Sequence, residues 1–450
     1  MKQHHHPPAL RPQPSALALA GSPFTTAQVI GTIEDFLRAT VAQLAPDFPI
    51  QRRGRPAILP ALCLWAGMLV GTLRGFDSQA DLWRLLSEQR LWDYPRFPVT
   101  DQAVYKRLES SDSQPLADLF AAVTTVLRER LAPFALANLA PFATEVVALD
   151  QCHLDPVARS LPALRNAKPG DDALLPGAFG ALFDLRRQQW RTVQYHPNPH
   201  QNEKVDARTL VATLPQGSLV LADLGYFGFA WFDWLADQGY TWVSRLRART
   251  SFTVRHVFFQ DGETLDALVD LGAWRADRTA HTVRLVQFRV GGAVYRYLTN
   301  VLDPTQLPLH QIAALYARRW DIELGFKLVK TQLGLHLLWS AKPTVILHQL
   351  WAVLTIAQIL LALRMEIAGR ADVDPFDVSL PLLVKHAPRY AARGEDPVTA
   401  FVERGRAAGY LRPSRRIRIT APDIPPERLT PIPLGLTLLR TARYAGKQGR

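Results

Sequence analysis

The sequence predicts a mixed α/β fold, in which a sheet with helices on its faces follows an all-helical amino-terminal region. Two observations support this prediction. From about residue 145 onward, short apolar runs and amphipathic stretches follow one another in the order β-β-β-α-β-α-β, which is typical of a mixed sheet covered by helices. Between residues 24 and 140, apolar residues instead recur at helical spacing, with breaks at proline and glycine.

The amino-terminal part divides into two segments. Residues 1–22 are rich in proline, histidine and alanine, and we expect them to be disordered. Residues 23–140 are expected to form a helical domain, with Thr100 as the N-cap of the helix predicted at 100–110. The predicted helices span residues 57–73, 78–90, 100–110 and 115–130.

The sheet region is expected to cover residues 141–367, with a β-rich insertion at 250–305 and a carboxy-terminal region at 368–450. Within the insertion, Gly291-Gly292 separates two β-rich arms and indicates a hairpin. The predicted strands span residues 145–150, 177–185, 189–195, 218–223 and 240–246. The predicted helices span residues 203–214, a segment ending at 238, 309–335 and 344–367.

The formal net charge of +12 favours a polyanionic partner. Most of this charge lies at the carboxyl end, since residues 404–450 contain eleven basic residues against Asp423 and Glu427. Two interpretations of this tail stay open. It is either a solvated, partly disordered basic segment or an arm that contacts phosphates.

Several classes of protein are disfavoured. With only two cysteines, Cys63 and Cys152, a disulfide framework or a cysteine-based zinc site is not expected, and a reducing, cytoplasmic compartment fits. The first residues do not have the pattern of a signal peptide. The uncharged segments 57–73 and 344–363 resemble membrane spans, but the polar residues of the second favour a buried helix of a soluble core.

One predicted helix concentrates polar residues on the edge of its buried face. At 100° per residue, Tyr316, Arg319, Glu323 and Lys330 share an arc of about 60°, beside an apolar stripe and flanked by Trp320. Two interpretations stay open here also. The helix lies at the surface with Arg319 and Glu323 as an i,i+4 ion pair, or its polar arc forms the wall of a pocket.

Two aspartates, Asp150 and Asp223, each end an apolar predicted strand, where side chains emerge from the core into a crevice. Each alone is weak evidence, because aspartate often precedes a turn. Together with Glu323, they form a set of carboxylates able to bind two hard divalent ions such as Mg²⁺. Two such ions stabilise the attacking and leaving oxygens of an in-line phosphoryl transfer.

These residues carry a resemblance to a known family. Asp150, the segment Asp223-Leu-Gly-Tyr-Phe227 and the spacing Tyr316–Arg319–Glu323–Lys330 resemble the IS4-type family of bacterial insertion-sequence transposases, whose signature is Tyr-x2-Arg-x3-Glu-x6-Lys. The segment from Gly239 to Arg245 also resembles the block around the family's second aspartate. The resemblance covers roughly residues 145–365. It implies an RNase H-like fold with a β-rich insertion before the glutamate helix.

The first aspartate has two candidates, Asp150 and Asp155. We favour Asp150 because it closes the apolar run, whereas Asp155 precedes a proline and is expected in a turn. His153 lies between them and could point into the same site, although the family does not depend on a histidine there.

The resemblance also implies DNA contacts. Tyr316, Arg319 and Lys330 would hold phosphates at the transposon end, which suits a hydroxyl donor, a bidentate guanidinium and a point charge. Trp320 would offer a stacking surface for an unstacked base. Trp274, in the insertion, could wedge into the base stack, although an ordinary core position is the simpler interpretation.

The amino-terminal region supplies further candidates for DNA binding. Arg53 and Arg55 lie in an Arg-Gly-Arg-Pro sequence that can enter an A·T minor groove, although a simple basic loop ahead of a helix is favoured. Lys106 and Arg107 follow the expected N-cap Thr100 and could face a major groove.

The resulting expectation is a DDE transposase that cleaves and joins DNA at terminal inverted repeats in a cut-and-paste reaction. Two Mg²⁺ ions, which Mn²⁺ could replace, would be bound by Asp150, Asp223 and Glu323. The partners would be the DNA at the element's ends, the target DNA and a second copy of the chain. The reaction would take place in the bacterial cytosol or nucleoid, and neither a membrane nor a small-molecule substrate is expected. The alternatives are a catalytically inactive DNA-binding derivative and an RNase H-like nuclease without strand transfer.

Overall fold

The computed structural model describes residues 58–89, 91–92, 94–154, 176–198, 203–272, 277–391, 393–414 and 419–444. Several predictions fall outside these residues. They concern the disordered segment 1–22, the candidate groove-binding residues Arg53 and Arg55, the alternative aspartate Asp155, and Trp274.

The centre of the molecule is a nine-stranded mixed sheet with the order β3-β2-β1-β4-β5-β9-β8-β7-β6. Strands β1, β4 and β5 are parallel to one another, and the remaining pairs are antiparallel. The strands are β1 Val146–His153, β2 Ala178–Asp184, β3 Gln189–His196, β4 Leu219–Ala222, β5 Thr241–Arg245, β6 Phe252–Asp261, β7 Thr264–Leu271, β8 Val283–Val290 and β9 Ala293–Thr299. The five strands predicted before residue 250 and the hairpin at Gly291-Gly292 are therefore confirmed.

Eleven α-helices are present among the described residues. They are α1 Ala61–Arg74, α2 Gln79–Ser87, α3 Asp101–Ser110, α4 Gln114–Arg130, α5 Glu203–Val211, α6 Phe229–Asp237, α7 Leu309–Arg318, α8 Asp321–Lys327, α9 Pro343–Arg370, α10 Leu380–Ala391 and α11 Pro397–Glu403. The predicted cap of α3 is confirmed, since the Thr100 side chain accepts a hydrogen bond from the backbone N–H of Ala103.

Both faces of the sheet are covered, because side chains alternate between faces along each strand. Val147 and Leu149 of β1 pack into the core beneath α5 and α6. Val146 and Ala148 pack into the opposite core, beneath α8, α9 and the amino-terminal helices. This alternation places Asp150 on the face that α8 covers.

The four amino-terminal helices share a core with α9. Helices α1, α3 and α4 contact α9 directly, and Arg130 of α4 donates to the buried Glu366 of α9 at 2.7 Å. Helix α9 is long and apolar enough to span a membrane, but 94% of its most apolar window is buried inside the protein. A core helix meets the same criteria of length and composition, so the prediction of a buried helix is consistent with this packing.

Strands β6 to β9 extend the central sheet instead of forming a separate layer, because β9 pairs with β5. Their core includes a fully buried ion pair, in which Arg284 donates two hydrogen bonds to Asp266. The carboxy-terminal segment crosses these strands, with backbone hydrogen bonds from Thr430 to Phe258 and between Arg443 and Arg278.

The single helix predicted over 309–335 is wrong in detail. It is interrupted at Arg319 and Trp320, between α7 and α8, and α8 continues into a π-helical turn, Leu328–Gln332. A helical-wheel argument assumes 100° per residue throughout, so it cannot detect an interruption or a wider turn.

Candidate active site

The ends of two parallel strands bring two carboxylates side by side. In the β1–β4 register, Leu149 lies opposite Ala222, so Asp150 and Asp223 occupy equivalent positions just beyond this pair. Neighbouring strands lie about 4.8 Å apart, and in-register residues point to the same face. The Oδ1 atom of Asp223 accepts a hydrogen bond from the backbone N–H of Gly225 at 2.6 Å, which fixes the loop after β4.

Helix α8 carries Glu323 and is held against β1 and β2 by its apolar side. Ile322 is fully buried, and the Phe326 ring packs edge-on against Phe179 at 5.3 Å between centroids. Gly325 permits the close approach of the helix, because a Cβ atom there would lie 2.9 Å from Cζ2 of Trp190. This packing determines the position of Glu323, because Glu323 lies on the partly exposed side of α8 and the other side of the helix is fixed.

Arg319 joins the helix to the strand end. Its Nη2 donates to Oε1 of Glu323 at 2.6 Å, and its Nη1 lies 3.7 Å from Oδ2 of Asp150. The side chain is 8% exposed, and the guanidinium lies 5.4 Å from the ring centroid of Trp320. The i,i+4 ion pair that the sequence allowed is therefore formed, and it lies at the strand ends rather than on an isolated surface helix.

The electrostatics indicate that the three carboxylates affect one another. Burial, together with the negative charges of Asp223 and Glu323, raises the pKa of Asp150 to about 7, while a hydrogen bond from Gln151 and the charge of Arg319 oppose the shift. A raised carboxyl pKa among other acids is typical of a site that is stabilised by added positive charge.

Tyr316 and Lys330 both contact parts of this region. Burial raises the pKa of Tyr316 to about 12, and its ring is 5.0 Å from that of Tyr297. Lys330, on the π-helical turn, donates to the backbone carbonyl of His153 at 3.1 Å and so fixes the end of β1. Trp320 is 54% exposed, which makes its ring available for stacking.

The three carboxylates do not form a ready metal cluster. Among the described residues, no three His, Cys, Asp or Glu side chains are close enough together to hold a metal ion. The oxygen donors nevertheless suit a hard divalent cation, and burial of Asp150 beside other acids leaves negative charge to be neutralised. The residues therefore fit a divalent metal if Glu323 and Asp150 are released from Arg319.

Sequence reasoning did not assign Arg245, although it lies in a segment that carried the resemblance. It is the last residue of β5, which runs parallel to β4, so it lies at the same edge of the sheet as Asp223. Its charge acts on Tyr297 and Tyr316, and its side chain is exposed. The available signal was a basic residue ending the third parallel strand, the position that drew attention to the aspartates.

Other features lie apart from this centre. Lys106 is exposed on α3 and Arg107 is half-buried, whereas Tyr105 of the same helix hydrogen-bonds with Ser340 at 2.9 Å. A cavity of about 510 Å³ lies between α5 and α6, on the opposite face of the sheet from α8, and none of the three carboxylates lines it. The cavity is therefore separate from the carboxylate centre.

Part of this region is similar to a known protein family. Residues 180–359 match the family described as "Transposase DDE domain". The match covers 180 of the 450 residues, which is less than half of the chain. The DDE domain match includes Asp223 and Glu323 and begins after Asp150.

One curated protein to which part of this chain is similar is the transposase InsG for insertion sequence element IS4 from Escherichia coli (strain K12). The two are 27% identical over 157 residues, which are 33% of this chain and 35% of the relative, so the chain spans about a third of that protein's length. A cryo-EM structure of the piggyBac transposase synaptic complex with hairpin DNA is 10% identical, with a TM-score of 0.40, covering 82% of this chain and 78% of that chain. A score at this level does not establish a shared fold.

Proposed function

We propose that this protein is a DDE transposase that cleaves and joins DNA at the terminal inverted repeats of an insertion sequence. The observation that carries the proposal is that Asp150 and Asp223 follow the paired strands β1 and β4, and that Arg319 links Asp150 to Glu323 of α8. The residues match the family signature, and the DDE domain match includes the second and third of them.

The RNase H-like assignment is part of this proposal. Its support is the order β3-β2-β1-β4-β5, in which three antiparallel strands are followed by two strands parallel to β1. Helices on both faces leave the carboxyl ends of the parallel strands open as a crevice, which is where ligands bind in such sheets.

In the proposed reaction, Asp150, Asp223 and Glu323 supply oxygen ligands for two Mg²⁺ ions, with Mn²⁺ able to replace them. When bound, the ions would stabilise the attacking and leaving oxygens of the phosphoryl transfer. Water attacks the phosphodiester at the element's end, and the freed 3′-OH attacks the opposite strand or target DNA.

The basic and aromatic residues around the carboxylates would position the DNA. Arg319, Lys330 and Arg245 carry the positive charge that phosphates require, and Tyr316 offers a hydroxyl donor. The exposed ring of Trp320 would stack on an unpaired base, which contributes about 1–3 kcal/mol per base.

The rest of the chain would find and pair the DNA ends. The amino-terminal region 23–140, with Lys106 and Arg107 exposed or partly exposed on α3, is proposed to bind the inverted repeat. The synaptic complex would contain two copies of the chain, and the bacterial cytosol is the compartment in which such DNA is reached.

The test uses the DNA that flanks the gene, cloned on a plasmid in which a marker replaces the gene body. Purified wild type, Glu323→Gln and the control Glu403→Gln, which changes an exposed carboxylate at the end of α11, are incubated with Mg²⁺. We expect paired cuts at inverted ends with wild type and Glu403→Gln, and none with Glu323→Gln. Site-specific binding without cleavage in Mg²⁺ or Mn²⁺ would instead support the inactive DNA-binding derivative. Cleavage without strand transfer would support the nuclease.

A further inference from the structure

The guanidinium of Arg319 lies between two of the carboxylates proposed to bind metal. One nitrogen donates to Glu323 at 2.6 Å, while the other lies 3.7 Å from Asp150. The side chain is 8% exposed, so the charge is held inside the protein rather than in solvent. A guanidinium does not lose its proton in proteins, so this positive charge is permanent.

Arg319 forms a hydrogen bond with Glu323 but not with Asp150. The distance to Asp150 exceeds that of a hydrogen bond, and Nη1 of Arg319 has no hydrogen-bond partner among the described residues. A buried donor without a partner is costly, so the arrangement favours any state in which both nitrogens are paired. The two oxygens of a phosphate group offer such bidentate pairing.

We propose that Arg319 is an internal counter-ion that competes with the divalent metal for Asp150 and Glu323, and that a DNA phosphate draws it away. This inference rests on the proposed function, since it takes the same carboxylates as the metal site. Arg319 is in cation–π contact with Trp320, at 5.4 Å from the ring centroid, and Trp320 is 54% exposed.

Thermodynamic linkage follows from this competition. If phosphate binding removes Arg319 from the carboxylates, DNA strengthens metal binding, and the metal strengthens DNA binding by the same factor. The free protein would then bind divalent ions weakly, and it would bind them more tightly once DNA is bound. Removing the guanidinium should therefore strengthen metal binding in the absence of DNA.

The test measures Mn²⁺ binding to the full chain without DNA, by electron paramagnetic resonance of the free ion. The variants are wild type, Arg319→Gln, Arg319→Lys and the control Lys327→Gln, which removes an exposed positive charge from α8. We expect Arg319→Gln to bind Mn²⁺ at least ten-fold more tightly than wild type. Arg319→Lys and Lys327→Gln should remain close to wild type, and adding Asp150→Asn to Arg319→Gln should remove the gain.

The possible failures are distinguishable. In one outcome, wild type binds Mn²⁺ in a way that depends on Asp150, and Arg319→Gln is folded by circular dichroism but binds no more tightly. The counter-ion proposal is then overturned, and the metal site remains. If no variant shows binding that depends on Asp150, both this proposal and the metal site of the proposed function are overturned. Should Arg319→Gln fail to fold, tight binding by Arg319→Lys would also overturn the counter-ion proposal.

Discussion

At the scale of single residues, the position of Glu323 depends on side chains that do no chemistry. Gly325 lies against the buried rings of Trp190 and Phe183, and these rings pack edge to face at 5.1 Å. The helix reaches the sheet at this distance only because residue 325 has no side chain. The carboxylate of Glu323, two residues earlier, is held in place by the same contact.

We therefore expect Gly325→Ala to destabilise the protein. A Cβ atom at 2.9 Å from Trp190 forces the helix or the ring to move, and overpacking of this kind costs about 1–3 kcal/mol. The gain in helix propensity, about 1 kcal/mol, offsets part of this cost. Thermal denaturation measures the change, with Gly292→Ala as the control, because a Cβ there meets no atom within 4 Å. An unchanged melting temperature for Gly325→Ala would contradict this account.

At the scale of elements, the sequence was sufficient wherever local pattern determines structure. Apolar runs located β1 to β5, and Thr100 located the start of α3, because burial and capping act over a few residues. The interruption at Arg319 and the π-helical turn depend on packing against the sheet, which no local pattern encodes. The placement of Arg319 between Asp150 and Glu323 likewise depends on tertiary packing.

One half-buried carboxylate connects the helical layer with the sheet. Glu145, just before β1, accepts hydrogen bonds from Arg128 of α4 at 2.7 Å and from Arg191 of β3 at 2.9 Å. Burial alone would raise the pKa of Glu145, but the two arginines outweigh it and hold the pKa below its usual value of 4.5. The ionised form therefore contributes stability above the unfolded pKa, and this contribution is lost as the pH falls through the folded pKa.

Glu145→Gln should consequently lower the free energy of unfolding at pH 7 by roughly 1.5–3 kcal/mol, the value of hydrogen bonds to a charged group. The difference from wild type should shrink as the pH falls from 4.5 toward the lower pKa of the folded protein, because the unfolded carboxyl takes up a proton before the folded one does. Urea denaturation at pH 7 and pH 3.5 measures both values. A difference that stays constant between these pH values would show that the charge of Glu145 does not matter.

At the scale of the whole molecule, the core of the amino-terminal helices is continuous with that of α9. Leu64 of α1, Leu119 of α4 and Leu354 of α9 belong to one hydrophobic cluster, which also includes the α8 face of the sheet. The sequence predicted a domain boundary near residue 140 from the change of periodicity. Periodicity reports the type of element and carries no information about which elements share a core.

This shared core predicts cooperative unfolding. In native-state hydrogen exchange, slowly exchanging amides of α1, α4 and α9 should report one common opening free energy, because none of these helices can bury its apolar face alone. If the amides of α1 and α4 open at a distinctly lower free energy than those of α9, the helical region is a separate unit, and the boundary near residue 140 is supported.

The central claim is that Asp150, Asp223 and Glu323 bind the metal ions of a DNA-cleaving site. The most direct test replaces one of these carboxylates with a ligand that prefers a different metal. In Asp223→Cys, a sulfur ligand replaces oxygen, which disfavours Mg²⁺ and is better tolerated by the softer Mn²⁺. DNA cleavage by this variant is measured in each metal on the plasmid substrate described above. The account predicts loss of at least a hundred-fold in Mg²⁺, with substantial recovery in Mn²⁺. Cleavage that is unaffected in Mg²⁺, or absent in both metals from a variant that melts like wild type, would contradict the assignment of Asp223 as a metal ligand.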